Sequence, residues 1–221
     1  LPGVAQLALL EQALGIVQGR PFALAEVSGV RLRRIVGPGE TLTLELRATE
    51  TTVFRFDLRA EAEPVSSGSF RTLETEATAA STALEVEIGD REPFEADGRV
   101  PHAPPARLVE RLVAWNEESA CAEATIPADS PFAVAGRAPT LLAIEIAAQT
   151  AALFEAATRG GETLEAPREG YLVLVRRAQF ATADLPTATR LEATIRLTGS
   201  APPLALYDFS VALDGVALAN G

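Results

Sequence analysis

PTLLAIEIAAQTAALFEAAT, residues 139–158, is the stretch that decides the fold. From Thr140 to Thr158 it holds neither Gly nor Pro, it is rich in Ala and Leu, and Gly160-Gly161 follows as a stop. Leu141, Ile144 and Ala148 recur at helical spacing, so the pattern predicts a long helix with one buried stripe. Glu145 stands on that stripe with Ala143, Ile144, Ile146 and Ala147 around it, and Gln149 follows one turn later on the same face. A second such pattern opens the chain. Pro2 and Gly3 precede Leu7, Leu10, Leu14 and Val17, one face of a helix, and Gly19 and Pro21 close it.

Strand-like runs surround both helices. After the first come 25–36, a Gly37-Pro38-Gly39 turn, 41–48 with Leu42, Leu44 and Leu46 alternating, 52–62 and 65–73. Residues 74–97 are acidic, small and weakly patterned. They read as a linker carrying at most one strand near 84–88. Runs at 107–115 and 120–126, joined by Asn116-Glu117-Glu118, precede the second helix, and 171–180, 189–197, 204–213 and a tail at Val216 follow it. A repeat emerges: a helix introduced by Pro, a strand with paired Arg, then three more strands. Residues 29–34 answer 173–177, and Thr41-Leu42-Thr43-Leu44 answers Thr189-Arg190-Leu191-Glu192. The second copy has two strands ahead of its helix, and their counterparts in the first would lie upstream of Leu1. The sequence contains no Met, which agrees with that expectation. The domains expected are 1–73, a linker at 74–97, and 98–221.

The fold class is α+β. Two units, each a long helix wrapped by an antiparallel sheet, are expected to join their sheets edge to edge. With 221 residues, 48% hydrophobic and 22% charged, the chain has the composition of a globular domain. No apolar run approaches the roughly 20 residues a membrane span needs. All 19 basic residues are Arg, against 30 acidic ones, and a net charge of −11 argues against nucleic acid as a partner. One Cys excludes an internal disulfide and, with a single His, leaves little for a zinc site; nothing demands an oxidising compartment, so a cytoplasmic location is expected. Cys121 and Trp115 read as packing residues and Arg137 as loop surface.

Residues 1–14, LPGVAQLALLEQAL, resemble the helix start of beta-hydroxyacyl-acyl-carrier-protein dehydratases, which have the hotdog fold, and VRLRRIVGPGETL (30–42) resembles the strand and turn after it. The second copy is similar to the divergent dehydratase-like subunit of aryl-polyene-type clusters, in VPHAPPARLVERL, DSPF and PTLLAIEIAAQTAA. The resemblance covers most of the chain outside the linker. It implies a double hotdog that eliminates water from a beta-hydroxyacyl thioester in fatty-acid-like or polyene synthesis, without a cofactor. The implied partner is acyl carrier protein bearing the acyl-phosphopantetheine, and a dimer of double hotdogs or a hotdog partner subunit is also implied.

The family's pattern carries a Glu and, four residues later, a Gln. Glu145 and Gln149 match both. In the first copy Ala8 takes the Glu position and Gln12 keeps the Gln. By resemblance Glu145 is the acid, and the base is a His expected just upstream of Leu1. The free N–H groups of the first helix, at Gly3 and Val4, would bind the thioester oxygen. His102, in its Pro-rich segment, reads as structural. Arg33, Arg34, Arg176 and Arg177 are candidates for contact with a carrier or its phosphate, or are charges of a solvated strand. A hotdog thioesterase with Glu145 activating water, and a non-catalytic acyl-binding subunit, are the competing functions.

Overall fold

The computed structural model describes residues 3–18, 23–73, 83–87, 89–159 and 170–221. Pro2, Gly19, Pro21, Gly160 and Gly161, expected to punctuate the helices, lie outside the described residues, as do 74–82 of the expected linker and Ile88. Two compact units form. One combines Leu1–Ala79 with Tyr171–Asp184 and Gly221, and the other combines Ala80–Gly170 with Leu185–Asn220.

In the first unit, α1 (Gly3–Gln18) precedes β1 (Leu24–Leu32), β2 (Leu42–Ala48), β3 (Val53–Ala60) and β4 (Glu63–Thr72). Leu7, Leu10 and Leu14 are buried, as their spacing requires. The strands form antiparallel sheet in the order β2-β3-β4-β1, with β9 (Leu174–Phe180) paired to β1. Period-two alternation sends Val27, Phe56, Leu58 and Phe70 to the buried face, and an irregularity in β1 returns Val30 to it. Phe54 and Phe70 stack across β3 and β4 with centroids 5.2 Å apart. A bulge at Gly29, where φ is +58°, shifts the β1–β4 register between Ser28 and Arg31. A side chain at Gly68 would meet the Cα of Val30 at 2.9 Å, so the facing position on β4 admits only glycine.

The domain boundary expected at residue 98 assigned 171–180 to the second copy. In the structure that segment forms β9 and pairs with β1, with Val27 opposite Ala178 and Val30 opposite Val175. These are the two strands that follow the two helices. Each offers the other an apolar inner row, Val27 and Val30 on β1 against Ala178 and Val175 on β9.

In the second unit, β5 (Phe94–Glu95), β6 (Val109–Trp115) and β7 (Ser119–Thr125) lead to the short β8 (Arg137–Pro139) and to α2 (Leu142–Thr158). β10 (Asp184–Pro186), β11 (Arg190–Ala201), β12 (Leu204–Leu213) and β13 (Val216–Asn220) follow. The antiparallel order is β13-β12-β11-β7-β6-β5, and α2 packs on β6, β7, β11 and β12. Ala120, Ala122 and Ala124 of β7, all fully buried, let the helix approach closely. Asn116 builds the β6–β7 turn, its Oδ1 accepting from the N–H groups of Glu118 and Ser119 at 2.8 and 2.7 Å.

Three details differ from the sequence expectation. Residues 84–87 form no strand, whereas β5 lies inside the expected linker and pairs with β6. Ala148 is half-buried rather than buried, because it shares the face of α2 that carries Glu145. The repeat alignment slips by one: Leu42 points inward, as does Leu191, while Arg190 is exposed. A one-residue slip reverses every side chain of a strand, so Leu42 answers Leu191. Among the described residues no helix is long and apolar enough to cross a membrane.

Candidate functional site

Glu145 sits in the first turn of α2, where a carboxylate complements the helix dipole. The helix forms because residues 142–158 are strong helix formers; the N-cap, Leu141, supplies no side-chain bond, and Ala143 N–H donates instead to Thr140 O at 3.0 Å. The Glu145 side chain is 18% exposed. Its Oε1 accepts from Gln149 Nε2 at 2.9 Å and lies 3.4 Å from His102 Nε2. Oε2 has no bonded partner among the described residues.

Gln149 explains how this geometry is held. It is buried, and its Oε1 accepts from the N–H groups of Leu108 and Val109 at 2.8 and 3.3 Å. Its Nε2 donates to Ala106 O at 2.9 Å as well as to Glu145. One amide therefore ties the segment leading into β6 to the helix and fixes the carboxylate. All of these bonds lie within one unit.

His102 rides on that tied segment. Read from sequence as structural, it stands beside Glu145. Its Nδ1 is buried without a hydrogen-bond partner among the described residues, while a third of the side chain is exposed. The sequence signal was weak because 43 positions separate the two residues and their approach depends on the Gln149 clamp.

The remaining candidates scatter. Gln12 is exposed on α1 and bonds to no other side chain among the described residues; α1 instead buries Gln6, whose Nε2 donates to Arg34 O at 2.9 Å, and half-buries Glu11. Gly3 and Val4 form the first turn of α1, with Val4 buried. Arg34 is paired with Glu40, Arg177 with Glu26 at 2.8 Å, and Arg33 donates to Ser67 Oγ at 2.9 Å. Only Arg176 of the four is exposed without a partner among the described residues. Trp115 is buried, its Nε1 donating to Glu92 O at 3.1 Å, and Arg137 is exposed. Cys121 is half-buried, and burial pushes its thiol up. Among the described residues no cluster of three or more His, Cys, Asp or Glu could hold a metal.

A family model named ApeP-like, described as ApeP dehydratase, matches residues 94–221, more than half of the chain and all of the site above. Compared with curated proteins, the sequence gives no significant match. Among solved structures, the dehydratase domain of RzxB from Pseudomonas fluorescens is similar, with a TM-score of 0.71 and 18% identity over 100% of this chain and 82% of that one. The dehydratase domain of PpsC from Mycobacterium tuberculosis, in complex with C12:1-CoA, gives 0.69 and 17% over 100% and 81%. The dehydratase domain of MlnD from Bacillus amyloliquefaciens gives 0.67 and 15% over 99% and 81%. At these identities the likeness shows a shared fold.

Proposed function

The chain belongs to the ApeP-like dehydratase family, and from that membership we propose that it eliminates water from beta-hydroxyacyl thioesters, with Glu145 and His102 moving the protons. The observation that carries the reading is the 3.4 Å approach of His102 Nε2 to Glu145 Oε1 beside the Gln149 clamp. The elimination breaks a C–H bond next to the carbonyl and a C–O bond one carbon further. It needs an acceptor for the first proton and a donor for the leaving hydroxyl. His102 takes the proton and Glu145 gives one, so a double bond and water form. The two groups then restore each other by proton transfer across their contact.

The finer proposals follow the same line. The substrate arrives on acyl carrier protein, in polyketide, polyene or fatty-acid-like synthesis. The two units are two hotdogs of one chain; antiparallel pairing of β1 with β9, the strands that follow each helix, supports that reading. Glu145→Gln keeps the shape and the amide-compatible bond to Gln149 but cannot transfer a proton. It should lower hydration of an enoyl thioester by about 10²–10⁴-fold while leaving acyl-thioester binding within about threefold. His102→Gln should lose activity on the same scale. Full activity in either variant sinks the pair.

A further inference from the structure

The outer face of the first unit's sheet holds a charge distribution opposite to that of the whole chain. Strand register places Arg47, Arg55, Ser69, Ser28 and Arg177 in one row from β2 to β9. The next row is Glu45, Asp57, Ser67, Arg31 and Leu174, with Arg33 bonded to Ser67 at its side. Arg59 and Arg71 lie beyond, on β3 and β4. Seven of the chain's 19 basic residues therefore share this face with three acidic ones, Glu26, Glu45 and Asp57, although the chain carries −11 overall. Neighbouring strands lie about 4.8 Å apart, so the face is roughly 20 Å wide, the width of a small protein contact.

The arginines differ in what holds them. Arg71 and Arg177 are drawn to Glu26 at 3.3 and 2.8 Å, and Arg47 to Glu45. Arg31, Arg55 and Arg59 are exposed and have neither an ion pair nor a hydrogen bond among the described residues. A folded chain gains nothing from gathering unpaired like charges on one face. We propose that this face docks an acidic carrier protein, with Arg31, Arg55 and Arg59 meeting its carboxylates. The choice of a carrier rests on the reading above that the acyl group is protein-borne. A nucleic acid fits less well. Glu26, Glu45 and Asp57 would oppose its phosphates, and among Arg, Ser, Asp and Glu the face offers no aromatic ring for a base.

The test replaces Arg31, Arg55 and Arg59 by Glu in the full chain. Turnover is compared on one 3-hydroxyacyl group carried by acyl carrier protein and by free pantetheine. The expected result is a loss of about tenfold or more in kcat/KM on the carrier, through KM, with the pantetheine substrate unchanged. Salt should weaken the parent's carrier reaction and hardly touch the variant's. Labelled acyl carrier protein and a labelled DNA duplex serve as direct binding probes, independent of turnover, with an Arg-to-Gln triple as a milder control for folding. Equal carrier binding by parent and variants, no carrier binding by the parent, or tighter binding of the duplex would each overturn the proposal. Loss of turnover on both substrates in the parent, with carrier binding intact, would instead count against the dehydratase reading.

Discussion

Glu11 shows how a residue can matter without any sequence signal. It lies one position before Gln12, the residue the family pattern favours, yet the turn of α1 half-buries Glu11 and exposes Gln12. Burial, and then the nearby Asp184 charge, raise its carboxyl from 4.5 to about 7, and its Oε2 has no hydrogen-bond partner among the described residues. In the unfolded chain the same group titrates near its ordinary value. Between about 4.5 and about 7 the folded state therefore binds more protons than the unfolded one, and stability falls as pH rises through that window. The cost is on the order of 3 kcal/mol above neutrality. Glu11→Gln should remove it. Urea unfolding of parent and variant at pH 5 and pH 8 should show the variant more stable at pH 8 and nearly level at pH 5. A parent whose stability does not fall across the window would contradict the assignment. His102 makes the complementary point, since its type was plain in the sequence and its neighbour was not.

At the scale of elements, most of the pattern was legible. Both helices follow from their apolar spacing, and β2, β3, β4, β6, β7 and β12 from alternation between turns. What could not be read was partnership. Nothing in LVRRAQF announces that β9 will pair with β1, about 150 residues earlier, because two Val-containing strands fit many neighbours. The repeat alignment failed by one residue for a related reason: composition does not fix which face of a strand is buried. Helix faces are firmer. Leu14 is 2% exposed on α1, and Leu14→Ala should cost about 2–5 kcal/mol, read as a lowered urea midpoint at constant slope. An unchanged midpoint would refute the face assigned to α1.

For the whole molecule, the interleaving of the chain has a consequence. The family match covers 94–221, but that stretch includes β9, whose ladder with β1 needs residues 24–32. A piece of residues 83–221 keeps the Glu145, His102 and Gln149 cluster while leaving the N–H and C=O groups on one edge of β9 unpaired. It should self-associate, as seen by light scattering, under conditions where the full chain does not. A monodisperse, cooperatively unfolding piece would show that β9 does not depend on β1. The central claim concerns the reaction itself, and product analysis of the parent protein tests it most directly. A 3-hydroxyacyl thioester is incubated with the full chain, and enoyl thioester and free acid are measured side by side. The account predicts enoyl thioester with the thioester bond intact, and about 10²–10⁴-fold slower formation from Glu145→Gln. Free acid without enoyl product would contradict it and identify a thioesterase.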